Sequence, residues 1–166
     1  MDYQHILHPI APVYDAQSQV LILGSFPSVK SREEGFFYGH PRNRFWRLLA
    51  EITGEQMPVS KDEKLLLLHT HHIALWDVIS SCDIVGSSDS SITNVIPNDI
   101  TSILENSNVK AVITNGKTAD GLYRRFIEPV TQMQPVCLPS TSPANAAWSY
   151  DRLLGYWRQA LLKYIK

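Results

Sequence analysis

Val20-Leu-Ile-Leu23 is a run of four apolar residues that ends on Gly24. A short apolar run with no polar alternation reads as a strand buried on both faces. Such a strand needs cover above and below, which limits the folds open to the chain. Three further segments repeat the pattern: Ile73–Val78, Lys110–Thr114 closed by Gly116, and Pro135–Leu138. Helical signals alternate with them. Phe45, Trp46, Leu49 and Ile52 recur at helical spacing before Gly54, and Ser60-Lys-Asp-Glu63 is a capping box ahead of Leu65–Leu68. Lys117–Ile127 reads as a helix stopped by Pro129, and Asn98 as the cap of a short helix through Leu104. Leu153, Leu154, Trp157, Leu161 and Ile165 form one face of a last helix, capped by Ser149. The segments from Gly24 to Pro41 and from Ser80 to Thr93 read as loops. The expected architecture is a three-layer α/β/α sandwich with a central, mainly parallel, four-stranded sheet. At 166 residues, 44% of them hydrophobic, the chain suits one domain over 1–166. A chain of that size buries roughly 70% of its unfolded surface, so no staple is required.

Composition narrows the function. Cys82 and Cys137 form no CxxC pair, and two cysteines cannot hold a four-cysteine cluster. Reduced thiols in a cytoplasm are the simpler expectation. No cationic start followed by an apolar run opens the chain, and no stretch has the length of a membrane span. The net charge of −1 does not advertise nucleic acid, although a local basic face would suffice to bind it. His69, His71 and His72 have no partner at a recognisable zinc spacing and read as helix-end residues.

In a parallel sheet the working residues lie in loops at the carboxyl ends of the strands. Three segments qualify. The first joins Gly24, Ser25 and Phe26 to Phe37, Tyr38, His40, Arg42, Asn43 and Arg44. Its density of aromatic, amide and guanidinium groups exceeds what packing requires and suits a planar, phosphate-bearing ligand. Phe45 and Trp46 read as core. The second is Leu138-Pro-Ser-Thr-Ser-Pro-Ala-Asn-Ala-Ala147, in which two prolines frame Ser140, Thr141 and Ser142. An ordinary helix lead-in explains it about as well. The third, Asn115-Gly-Lys-Thr118, lacks the first glycine and spacing of a P-loop and reads as a turn that sets Lys117 near a helix start. Asp77 reads as a structural acceptor for loop amides, with a catalytic carboxylate as the alternative.

Together these segments resemble the uracil-DNA glycosylase superfamily. Gly24-Ser-Phe-Pro-Ser28 stands where that superfamily keeps its first motif. His40-Pro-Arg-Asn-Arg-Phe-Trp46 is similar to the His-Pro-x-Asn-Arg-Phe-Trp run of mismatch-specific uracil glycosylases, and Asn115-Gly-Lys-Thr-Ala119 to their Gly-Lys-x-Ala turn. Leu138-Pro-Ser-Thr-Ser-Pro143 occupies the place of the second motif. Phe26 and Leu138 replace the polar residues usual in the two motifs. With Leu75-Trp-Asp-Val-Ile79 also present, the pattern resembles the hypoxanthine-DNA (deoxyinosine) glycosylase branch.

The resemblance implies a monofunctional enzyme that cuts deaminated bases from DNA by hydrolysis, hypoxanthine first and then uracil, with Asn43 as the catalytic residue. Gly24, Ser25, Phe26, Phe37, Tyr38 and His40 would hold the base. Arg42, Arg44, Lys117, Ser140, Thr141, Ser142, Ala144 and Asn145 would contact DNA. No metal or organic cofactor is expected, since water is the nucleophile. The partner implied is DNA carrying deaminated bases, and a monomer in the cytoplasm, on the nucleoid, is expected. A catalytically silent nucleic-acid-binding module and a hydrolase of free nucleosides remain as alternatives.

Overall fold

The computed structural model describes residues 2–165. In chain order its elements are β1 (Gln4–Leu7), β2 (Val20–Gly24), α1 (Val29–Glu34), α2 (Phe45–Thr53), α3 (Lys61–Thr70), β3 (Ile73–Asp77), β4 (Ile79–Ile84), a 3₁₀ turn (Asp89–Ser91), β5 (Thr93–Pro97), α4 (Ile100–Glu105), β6 (Ala111–Asn115), α5 (Lys117–Phe126), α6 (Glu128–Thr131), β7 (Pro135–Leu138) and α7 (Tyr150–Leu161).

The apolar run that constrained the sequence lies in the middle of a four-stranded sheet ordered β3-β2-β6-β7. Every neighbouring pair in it is parallel, with Leu21 facing Ala74 on one side and Val112 on the other. All five residues of β2 are buried. Val20 and Ile22 pack with α2, α3 and α7 through Phe45, Leu49, Leu68 and Trp157. Leu21 and Leu23 pack on the other face with Ile100, Ile103, Tyr123 and Ile127 from the segments around α4, α5 and α6. Side chains alternate across a strand, so one short apolar run feeds both cores. The three-layer expectation therefore holds.

Several local expectations need correction. The segment 80–93 is not all loop. Its first part is β4, which pairs antiparallel with β1 and with β5 in a second sheet ordered β1-β4-β5. Ser80, Ser81 and Asp83 disguised the strand, yet Ile79, Cys82 and Ile84 are buried against the second core. The segment 24–41 contains α1, capped by Ser28, whose side chain accepts from the Ser31 amide. Asn98 does not cap α4: Asp99 does, while the Asn98 amide donates to the carbonyls of Asp77 and Ile79 at 2.9 and 3.1 Å. The helix ahead of Pro129 ends at Phe126, and Pro129 lies in the first turn of α6, where its missing N–H costs nothing.

Because the four strands run parallel, Gly24, Asp77, Asn115 and Leu138 all end at one edge of the sheet. The segments that follow Gly24 and Leu138 build the site at this edge, and the segment after β4 completes it.

Candidate active site

A cleft of about 540 Å³ opens at this edge, lined by the turn after β2, by Phe37, Tyr38, His40 and Asn43, by Ser87–Ser90 and by Ser140–Ala144. Gly24 is demanded by space rather than by backbone angle. A Cβ there would stand 2.5 Å from Asp77 Oδ1 and 3.1 Å from the Tyr38 hydroxyl. Beyond α1, Phe36 and Phe37 turn into the core, and the indole of Trp46 donates to the Phe37 carbonyl at 3.0 Å. That bond fixes Tyr38, whose φ of 52° is unusual for an aromatic residue. Its ring stacks on Phe45 with centroids 4.0 Å apart, and its hydroxyl is buried without a well-formed hydrogen bond among the described residues. Burial, with the nearby charge of Asp77, pushes that phenol well above its ordinary pKa.

Asn43 sits at the centre of a closed network. Its Oδ1 accepts from the Phe45 amide and from the Thr141 hydroxyl, each at 2.9 Å. The backbone N–H can only donate, so the carboxamide orientation is fixed and Nδ2 remains, without a partner among the described residues. Thr141, fully buried, is gripped at two points by Asn115, which accepts from its amide at 3.0 Å and donates to its hydroxyl at 3.1 Å. Arg44 completes this wall. Its guanidinium donates to the carbonyls of Thr141, Ser142, Asn145 and Trp148. Loss of solvation lowers its pKa from the ordinary value.

The opposite wall carries two carboxylates. Asp77 accepts from His8 Nε2 at 2.8 Å, with both side chains almost wholly buried. A histidine from the segment after β1, in place of the expected loop amides, holds the Asp77 carboxylate. Asp89 accepts from the Ser25 hydroxyl at 3.0 Å. Asp89 keeps solvent contact at the cleft mouth, but the cleft walls desolvate its carboxyl and Asp77 repels its charge, so its pKa lies above the usual carboxylate value despite the Ser25 bond.

Gly24, Ser25, Phe26, Phe37, Tyr38, His40, Asn43, Ser140, Thr141, Ser142 and Ala144 all border the one cleft. Phe37 is 2% exposed and serves the core more than a ligand. Two of the residues expected to meet DNA are engaged within the chain: Thr141 is buried, and four carbonyls take up Arg44. Asn145 is outside the cleft lining and donates to the Ser140 carbonyl at 3.0 Å. Arg42 and Lys117 are exposed and lie outside the cleft lining. His8 and Asp89 escaped the sequence reading. Asp89 looked like one more polar residue of a solvated loop, and no spacing ties His8 to Asp77. Among the described residues no cluster of three or more His, Cys, Asp or Glu could hold a metal ion. Among the described residues no helix is long and apolar enough to cross a membrane.

A parallel α/β sheet with a cleft at its carboxyl edge, walled by strand-end loops rich in amides and hydroxyls, defines a class of ligand-binding α/β domains. Comparison with known proteins gives the particular family. Residues 11–163 match the model of the uracil DNA glycosylase superfamily, and the chain belongs to that superfamily. It is similar to a hypoxanthine DNA glycosylase of Methanosarcina acetivorans, at 35% identity over 84% of this chain and 89% of the relative. It is also similar to a hypoxanthine DNA glycosylase of Methanosarcina barkeri, at 36% identity over 90% and 94% of the two chains. Among solved structures, a solution NMR structure of a protein from Methanosarcina acetivorans, provisionally described as a uracil DNA glycosylase, superposes with a TM-score of 0.78 at 32% identity. That match covers 92% of this chain and 94% of the other.

Proposed function

We propose that the chain is a monofunctional DNA glycosylase that hydrolyses the N-glycosidic bond of deaminated bases, hypoxanthine first. Family membership and the names of the two Methanosarcina relatives support the reaction class. The observation that carries the residue assignment is the free amide of Asn43. Phe26, at the cleft, and Leu138, at the end of β7, have side chains that neither move protons nor donate hydrogen bonds. Asn43 borders the same cleft with its carbonyl locked and its side-chain N–H groups unpaired among the described residues.

The base must leave the stack before it reaches such a cleft, at a cost of a few kcal/mol that is least for a mispaired base. As the bond to C1′ breaks, negative charge collects on the base. Asn43 Nδ2, with the backbone amides of Ser25 and Phe26 at the neighbouring turn, would stabilise that charge as donors fixed in advance. Among the described residues the cleft lining includes no lysine. That supports hydrolysis by water without strand cleavage. In this reading the enzyme acts on its DNA substrate as a monomer at the nucleoid.

The test is single-turnover base release from a duplex carrying one inosine. Asn43→Asp keeps both internal hydrogen bonds of Oδ1 but loses the donor. Release should fall roughly 10²-fold with the melting temperature little changed. Equal release by the variant would remove Asn43 from catalysis. Duplex binding without release by the wild type would leave a binding module, and action on free inosine alone a nucleoside hydrolase.

A further inference from the structure

We propose that Asp77, aimed by His8, accepts the ring N–H of the flipped base and thereby separates a deaminated base from its parent. This rests on the glycosylase reading above and names the group that selects its substrate. The Ile10 amide donates to His8 Nδ1 at 3.2 Å, so the ring proton is on Nε2, which donates to Asp77 Oδ2. The side chains are 3% and 4% exposed, which leaves neither free to turn. Oδ1 has no hydrogen-bond partner among the described residues, and Asp77 borders the cleft. A carboxylate presents only acceptors, so this oxygen seeks a donor. Gly24 keeps the approach to it open, since a Cβ would stand 2.5 Å away. The Tyr38 hydroxyl, without a well-formed hydrogen bond among the described residues, lies on the same small space and is a donor for a neighbouring carbonyl.

Deamination reverses what such an acceptor meets at the ring nitrogen beside the exocyclic group. Adenine and cytosine carry a bare ring nitrogen, an acceptor, beside their amino group. Hypoxanthine and uracil carry an N–H at that nitrogen, beside a carbonyl. Asp77 Oδ1 attracts the N–H of the products and repels the lone pair of the parents. His8 is then a positioning residue, because it determines which oxygen faces the cleft.

The experiment compares single-turnover release from duplexes carrying inosine or 1-methylinosine, in which a methyl group replaces the ring N–H. The wild type should release 1-methylhypoxanthine about 10²-fold more slowly than hypoxanthine, the order expected when a buried polar group loses its partner. In Asp77→Asn the His8 N–H draws the amide oxygen, so the amide nitrogen faces the cleft, donor against donor. Hypoxanthine release should fall about 10²-fold while 1-methylhypoxanthine release stays level, which erases the selectivity. His8→Ala should erode the selectivity, and His8→Gln, which keeps an N–H, should restore part of it. Equal wild-type rates on the two duplexes would overturn the proposal even if Asp77→Asn failed to fold. An equal loss on both substrates in Asp77→Asn, or no loss on either, would overturn it too. A wild type that releases neither base would sink the glycosylase reading itself, a result distinct from release without selectivity.

Discussion

On the wall of the cleft that carries Thr141, the polar groups answer one another. Asn115 grips Thr141, Thr141 holds Asn43 Oδ1, and Arg44 ties four carbonyls of the following segment. On the facing wall, among the described residues, the Tyr38 hydroxyl is buried without a well-formed hydrogen bond and Asp77 Oδ1 is bound by nothing. A buried donor left unpaired costs about 1–3 kcal/mol, so a fold keeps one only where the surroundings over-determine it. The first wall is therefore scaffold and the second is addressed to a ligand. Asn43 belongs to both, its oxygen to the scaffold and its nitrogen to the cleft. Substitutions on the first wall should act on stability, and those on the second on rate or selectivity.

The largest effect on stability is expected at Arg44. Arg44→Ala leaves four carbonyls without their charged donor and should cost about 3 kcal/mol. That corresponds to a fall of roughly 10 °C in melting temperature for a domain of this size. Arg44→Lys should recover only part, because an ammonium cannot span four acceptors in a fork. A wild-type melt for Arg44→Ala would show that the wall stands without it. Next comes Thr141→Val, which should cost about 2 kcal/mol and also slow base release, since Asn43 loses one of its two anchors. Thr141→Ser should restore both properties. Slower release at unchanged stability would place Thr141 on the ligand side and break the comparison.

These contrasts were only half legible in the sequence. The turn after β2 and the strand ends could be read because local pattern forces them: an apolar run needs cover, and a parallel sheet presents its loops at one edge. Asn43 stood out by the polar density of its loop and by the family resemblance, and the structure places it on the cleft lining. The division of labour among the polar residues could not. Arg44 and Trp148 are 104 positions apart, and His8 and Asp77 are 69 apart. Nothing local distinguishes an arginine that clamps carbonyls from one that meets phosphate. The second sheet was missed because β4 is edged with serine and aspartate and gains its burial from β1 and from α4, both distant in sequence or weak in pattern. Asp89 was missed with it, since its position at the cleft depends on where β4 ends.

The rim lies outside both walls, and smaller effects are expected there. Arg42 and Lys117 are exposed and make no side-chain hydrogen bond within the described residues. Neutralising each should lower the slope of log affinity against log salt by about 1 and leave release from the bound duplex unchanged. An unaltered slope after both substitutions would exclude the pair from the phosphate footprint.

The smallest effect sharpens the comparison through pH. Asp89 faces the ligand wall from the cleft mouth, and desolvation by the cleft walls, followed by the charge of Asp77, raises its pKa above the usual carboxylate value. The folded state therefore holds the Asp89 proton more tightly than the unfolded chain does. Whatever stability this confers is fully present below the ordinary aspartate range and is lost as pH rises through the raised, folded value. Above that window the ionised carboxylate is a burden on the fold. Asp89→Asn keeps an oxygen to accept from Ser25 but cannot ionise. The variant should match the wild type in acid and melt slightly higher at neutral pH. Solvent at the mouth screens the charge, so the gain should be a few tenths of a kcal/mol at most. Melts of both proteins taken across the acidic range provide the check. A difference independent of pH would mean that the charge of Asp89 is already relieved, and a wild type more stable than the variant at neutral pH would move Asp89 to the scaffold, with Ser25 as its reason for being there.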